Sequence, residues 1–333
     1  VAHFTDAPGA FTFCMAAIAL IPLSALIGFA TETLAARYGE AIGGVFHAIA
    51  ENLAGLIVIV VALRAGELEL VKASLIGGIM GNLLFVLPIA LIIGGFRNGD
   101  GKQFPLSFDR IAPNLTVLCI AVASMLAPTI AHHTQLGSGI EQRTLGVGII
   151  LLLAYVILIL YRIRTPAEDR LVTVAAVHHA AGVPWTIHRA LLVLAAAAGG
   201  TCAMAELLVH EVRAVGAALG FSPLFIGLFV VPLVVNVAER HSAIQAAWKR
   251  QYDLAVGIAI DSATQIALSL TPLTLFVALA FGAPFTLVLP AIALQAIVMG
   301  VVLIWAIVLD RKGSWFEGAA LLLITALYAY LCY

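Results

Sequence analysis

The sequence predicts an all-α polytopic membrane protein with ten transmembrane helices arranged as two inverted five-helix repeats. Three observations predict it. Of 333 residues, 62% are hydrophobic and only 11% charged, with a mean hydropathy of +1.09, so the chain needs lipid as its solvent. Ten apolar stretches reach the roughly 20 residues a helix needs to cross a hydrocarbon core of about 30 Å. One ungapped offset of 184 in the numbering aligns features of the two halves.

The stretches run approximately 11 to 31, 41 to 64, 71 to 96, 112 to 132, 144 to 162, 188 to 210, 222 to 246, 254 to 279, 284 to 309 and 315 to 332. The longest interval, roughly Arg162 to Arg189, is polar and ends in Gly182-Val183-Pro184. The expected organisation is therefore a first repeat over 1–162, a cytoplasmic connecting loop over 163–187 and a second repeat over 188–333. At the offset of 184, Ile42-Gly43 meets Ile226-Gly227, Asn52 meets Asn236 and Pro88 meets Pro272. Five spans is an odd number, so the second half enters the membrane from the opposite side; proteins built this way bind substrate near the midplane, where the repeats meet.

Short loops rich in Lys and Arg stay cytoplasmic. With the first residue outside, inner loops carry 12 such charges (Arg37; Arg97, Lys102, Arg110; Arg162, Arg164, Arg170, Arg189; Lys249, Arg250; Arg311, Lys312) and outer loops 4 (Arg64, Lys72, Arg143, Arg213). Short loops point to a bacterial inner membrane. The N-terminus, Val1-Ala2-His3-Phe4-Thr5-Asp6, has neither the basic region of a signal peptide nor an initiator Met, which leaves an unusual start codon or a missing front.

A net charge of −1 excludes a basic field for nucleic acid. Cys14, Cys119, Cys202 and Cys332 lack metal-type spacing and read as small core residues.

A carboxylate at mid-membrane costs about 2.5 to 3.5 kcal/mol on insertion scales, so each one inside a span is a functional candidate. The second span holds His47, Glu51 and Asn52, and its counterpart, the seventh, holds Asn236, Glu239 and Arg240. Asn82 sits in the glycine-rich stretch Gly77-Gly78-Ile79-Met80-Gly81-Asn82 of the third span, and Asp261, Ser262, Thr264 and Gln265 sit in the eighth. Oxygen-rich, nearly sulfur-free sets suit a hard cation such as Ca²⁺. Asn, Ser, Thr and Gln also serve simply as interhelical hydrogen-bonders. His47 and Glu51 share a helical face and could share a proton or help hold a transition metal. Glu32 and Glu206 close the first spans of the two repeats, as interface caps or on a cation path; His132-His133 and His178-His179 read as solvated.

With these residues the sequence resembles the calcium/cation antiporter superfamily, specifically its cation/proton exchanger branch, over nearly the whole chain from Ile21-Pro22-Leu23-Ser24-Ala25-Leu26 onward. Members carry two repeats, each with a Gly-Asn-Ala-x-Glu motif followed one helix later by a Gly-Ser segment ending in Asn or Gln. They also have a leading helix before a ten-span core. The resemblance implies export of Ca²⁺ or a related cation against inward proton flow.

In the second repeat, Val235-Asn236-Val237-Ala238-Glu239 keeps the Asn and Glu, with Arg240 where the family usually has His. Asp253-Leu254-Ala255-Val256-Gly257-Ile258-Ala259 is family-like, and Ser262 and Gln265 match the later segment, but Asp261 stands where the family has Gly. The first repeat departs further. Glu51-Asn52-Leu53-Ala54-Gly55 keeps Asn52 but has Gly55 at the glutamate position, and of the later polar residues only Asn82 survives, Gly78 and Gly81 replacing the others. Glu51 shares the face of Gly55 but lies about 6 Å along the axis, so it does not simply take over the lost ligand.

The resemblance thus implies a remodelled site: Glu239 central, Asp261 and Glu51 as further metal-binding acids, and Asn52, Asn82, Asn236, Ser262 and Gln265 as neutral ligands. Arg240 is expected to pair with one of the acids. The resulting expectation is a secondary active cation/proton antiporter, most simply calcium:proton exchange, without cofactor and not an enzyme. Its partners are the lipid bilayer, the transported cation and protons. Sodium or potassium exchange, a non-transporting sensor and an intramembrane metal-dependent enzyme stay open, the last without an HExxH motif to support it. The sequence leaves the oligomeric state open.

Overall fold

In lipid every backbone N–H and C=O must be satisfied within the segment, which leaves helices as the solution for stretches this apolar. The computed structural model describes residues 9–35, 52–99, 103–134, 139–165 and 185–333, and these are almost entirely helical. In chain order the helices are α1 (Gly9–Ala35), α2 (Leu53–Arg64), α3 (Leu68–Arg97), α4 (Phe108–His133), α5 (Ile140–Arg164), α6 (Ile187–Leu219), α7 (Pro223–Val235), α8 (Val237–Trp248), α9 (Tyr252–Ala280), α10 (Ala291–Leu309) and α11 (Trp315–Cys332). Among the described residues, eight helices are long and apolar enough to cross a bilayer, or nine if α7 and α8 form one bent span; α2 is a shorter apolar helix. The front of the second expected span, with His47 and Glu51, and most of the expected connecting loop lie outside the described residues.

Helix ends follow local chemistry. Ser314 and Glu317 form a reciprocal capping box at the start of α11, the Ser314 hydroxyl accepting from Glu317 N at 3.3 Å and the Glu317 carboxylate from Ser314 N at 2.8 Å. Ser222 caps α7 by accepting from Phe225 N at 2.9 Å, with Pro223 in the first turn. Gly220, at φ 72°, ends α6.

Three wide, π-type turns interrupt the spans: Gly81–Val86 in α3, Ile226–Val230 in α7 and Ile266–Leu270 in α9. Each lies just before a proline, Pro88, Pro232 and Pro272. Proline offers no N–H to the carbonyl four residues back and its ring crowds that carbonyl. A wider turn makes room. In α3 the orphaned carbonyl is that of Leu84, and the Thr325 hydroxyl of α11 donates to it.

Three expected elements are corrected. The seventh span, expected continuous over 222–246, is broken at Asn236, where α7 and Arg240–Trp248 meet at 65°. The ninth, expected from 284, begins as a helix only at Ala291: Gly282 turns the chain at φ 66°, and Pro284 and Pro290 bracket a run, 283–290, that is not helical. There Thr129 Oγ1 accepts from Leu289 N at 3.0 Å and donates to Leu287 O at 3.2 Å, and Thr144 Oγ1 accepts from Leu287 N at 3.4 Å. The sixth span, expected to end near 210, continues to Leu219; its 33 residues reach about 50 Å, beyond the hydrocarbon core. Glu206 is consequently exposed within a helix rather than at its end. Cys14 and Cys202 are also exposed rather than in the core, Cys119 is half-buried and Cys332 buried.

Helix bounds recur at the offset of 184: Leu53–Arg64 with Val237–Trp248, the starts Leu68 and Tyr252, and the ends Ala35 and Leu219. The pairing of elements recurs too, since α2 packs on the C-terminal part of α9 while α8 packs on the C-terminal part of α3, and α1 packs along α6. At the centre α3 and α7 touch backbone to backbone: a Cβ on Gly77 would lie 2.7 Å from the Gly227 carbonyl oxygen, and one on Gly227 would lie 3.1 Å from that of Leu70.

At the end assigned to the cytoplasm by charge, Arg97 Nε donates to Trp248 O at 3.2 Å with its guanidinium over the indole. Asp253 accepts from Ser107 N at 2.8 Å and from the Ser107 hydroxyl. Two-residue strands, β1 (Phe104–Pro105) and β2 (Lys312–Gly313), pair antiparallel there. At the other end Arg213 reaches Glu67 at 2.7 Å.

Candidate cation site

Asn236 marks the break after α7, and α8 beyond it packs along α9, which carries Asp261, Ser262, Thr264 and Gln265. Asn236 sits in the break at φ −102°, ψ 31°, and is buried. Glu239 follows in the first turn of α8; its side chain lies outside the described residues, as does all of Glu51, so neither position as a ligand is described. Asn52, at the equivalent point of the first half, flanks α2 with φ −90°, ψ 11°, and is also buried.

On α9, Asp261, Ser262, Thr264 and Gln265 are all buried. Thr264 spends its hydroxyl on its own helix, donating to Ile260 O at 2.7 Å. Asp261 is the hub of a network. Its Oδ1 accepts from Asn114 Nδ2 of α4 at 3.1 Å and from the Arg162 guanidinium of α5, while its Oδ2 accepts from Gln265 Nε2 at 3.2 Å. The Arg162 side chain is 25% exposed against 7% for Asp261, so the charge reaches inward from the rim to a buried acid.

Of the acids considered for Arg240, Asp261 has Arg162 as its ionic partner. The reason is helix register. Helices α5 and α9 run antiparallel, and a Cβ on Gly148 of α5 would meet Leu275 of α9. Arg162 lies as far along the chain after Gly148 as Asp261 lies before Leu275, so the two come level. Arg240 is buried elsewhere, its guanidinium filling the space that a side chain on Gly81 would occupy, next to Asn82. Sequence reasoning had counted Arg162 among the loop charges and passed over Asn114. The signal for Asn114 was available: an amide inside an apolar span is itself a functional candidate.

Two buried amide atoms, Gln265 Oε1 and Asn82 Nδ2, have no hydrogen-bond partner among the described residues. A buried carbonyl oxygen without a donor is costly in protein and is a ready ligand for a hard cation. Among the described residues no cluster of three or more His, Cys, Asp or Glu forms.

The sequence matches a family model described as sodium/calcium exchanger protein, over residues 8–164 and 189–333. The chain belongs to that family. Within it, the chain is 33% identical over 316 residues to the Ca(2+)/H(+) antiporter ChaA of Bacillus subtilis, covering 95% of this chain and 90% of the relative. It is 31% identical over 329 residues to a Ca(2+)/H(+) antiporter of Aphanothece halophytica, covering 93% and 86%. The solved structure of native YfkE superposes with a TM-score of 0.82 at 30% identity, covering 99% of this exchanger-family chain and 94% of the other.

Proposed function

We propose that the chain is a secondary active Ca²⁺/H⁺ antiporter that works by alternating access between two inverted five-helix repeats. The observation that carries the reading is a set of buried polar residues on packed elements, Asn236 at the break before α8 and Ser262 and Gln265 on α9, with Gln265 Oε1 unpartnered among the described residues. The two Ca(2+)/H(+) antiporter relatives, each aligned over more than nine-tenths of this chain, support the choice of ion and counter-ion. The recurrence of helix bounds, π turns and prolines at one offset supports the repeat.

Glu239 is the exchanging group in this reading. Its carboxylate holds either Ca²⁺ or a proton, so loading one releases the other, and competition for the same oxygens couples the two fluxes. Asn236, at the break between α7 and α8, and Asn52, at the equivalent point before α2, supply side-chain amide oxygens. Ser262, Gln265 and Asn82 complete a neutral set, and Glu51 lines the approach. Both oxygens of Asp261 already serve donors, so the anionic work falls to the two glutamates. The tightly tied end around Arg97, Ser107 and Arg311 faces the cytoplasm, in a bacterial cell membrane.

The test is exchange in proteoliposomes. Vesicles loaded at low internal pH should take up ⁴⁵Ca²⁺ and become alkaline inside, and equal Na⁺ or K⁺ should not substitute. Proton efflux driven by Na⁺ or K⁺ but not Ca²⁺ would overturn the ion assignment. Single cysteines placed at 97–110 should resist an impermeant reagent in intact cells, and strong labelling would reverse the orientation.

A further inference from the structure

We propose that Asp261 is a positioning residue for the transported cation: anchored by Arg162 and Asn114, it captures the amide hydrogens of Gln265 and so aims the Gln265 carbonyl oxygen at the cation. This rests on the antiport reading above. An ionised carboxylate only accepts hydrogen bonds, so an amide beside it must present its NH₂. Gln265 does, at 3.2 Å, and its oxygen is thereby turned away from Asp261, where it lies buried and without a donor.

The other oxygen of Asp261 shows why the acid is not itself free for cargo. Oδ1 accepts from both Asn114 and Arg162, and the guanidinium balances the charge. A divalent ion taking this carboxylate would have to expel a half-buried arginine or sit against its positive charge. The three donors come from three helices, α4, α5 and α9 itself, so the orientation of Gln265 is fixed by packing between helices rather than by its own rotamer. Arg162 thus acts through Asp261, and Asp261 through Gln265.

Charge and geometry separate in the right variants. In Asp261→Asn the new amide oxygen still serves Arg162 and Asn114, so the new NH₂ faces Gln265. Gln265 must then turn its carbonyl toward that NH₂ and offer hydrogens to the cation. The initial exchange rate at low Ca²⁺ should fall about 10-fold or more, with the rate at saturating Ca²⁺ nearly unchanged. Adding Gln265→Glu places oxygens at both ends of that side chain and keeps the net charge, so low-Ca²⁺ exchange should return. Arg162→Gln with Asp261→Asn removes the charge pair without correcting the amide and should stay impaired. Gln265→Ala should be impaired alike, and Asp261→Asn should add nothing in that background.

Recovery in the neutral Arg162→Gln, Asp261→Asn pair would reduce Asp261 to a charge-balanced strut and overturn the proposal. A further loss on adding Asp261→Asn to Gln265→Ala would make Asp261 a direct ligand, with the same result. Should Arg162, left without its anion, unfold the single variant, the Gln265→Glu rescue is read in the Arg162→Gln, Asp261→Asn background, and absence of rescue there overturns it. A wild-type protein that neither exchanges Ca²⁺ for protons nor is thermally stabilised by Ca²⁺ ends the antiport reading itself. Wild-type exchange with additive variants ends this inference alone.

Discussion

Two stretches related by the repeat offset occupy equivalent places in α3 and α9, yet one is glycine and the other is chemistry. Gly77, Gly78 and Gly81 correspond to Asp261, Ser262 and Gln265, and on the preceding helix Gly55 corresponds to Glu239. The glycine side is not empty space. Gly77 abuts the backbone of α7, Gly78 lies against Ile266, and Gly81 lies against the Arg240 guanidinium. The difference teaches that at these positions one half supplies close approach and the other supplies side chains. Atoms of the second half fill the room that the first half vacates.

Making the glycine side resemble the polar side should fail in proportion to what fills it. Gly77→Asp drives a side chain into the carbonyls of Gly227 and Leu228, backbone that cannot move aside, and should abolish monodisperse protein on size exclusion. Monodisperse, thermally normal protein would show that α3 and α7 need not touch. Glu239→Gln on the polar side should leave folding intact while lowering Ca²⁺-driven proton flux about 100-fold, because Gln carries neither a proton nor charge. Wild-type flux would move the exchanging group elsewhere. Gly81→Ala meets only the end of the Arg240 side chain, which can shift, so a loss of about 1 to 3 kcal/mol in stability, visible as a lower melting temperature, is expected with activity retained. Gly55→Glu has ordinary room at its Cβ, 3.6 Å from Leu270 and Val235 side-chain carbons. Restoring a first-half acid there should raise Ca²⁺ affinity by about threefold, read from exchange at low Ca²⁺.

Much of this comparison was legible in the sequence because it is periodic or local. Hydropathy located the spans, the offset of 184 predicted equivalent positions, and the i, i+4 spacing of Asp261 and Gln265 puts them on one helical face. What the sequence hid depends on registry between distant segments. Arg162 and Asp261 meet only because α5 and α9 run antiparallel with one particular alignment, which no local pattern encodes. The non-helical run before α10 was hidden differently: Leu287, Val288 and Leu289 are as apolar as any helix, and hydropathy does not register that Pro284 and Pro290 bracket them. The break at Asn236 was masked in the same way, by apolar residues on either side.

The wide turns before Pro88 and Pro272 bear on how such helices could move. A turn of this kind can pair a carbonyl with the N–H either four or five residues on, and the Leu84 carbonyl is held by a hydroxyl from another helix. A span can change direction there by trading one internal partner for another, with no polar group released into hydrocarbon. Each long central helix therefore carries a joint whose bending is nearly free of the desolvation cost that keeps other membrane helices stiff.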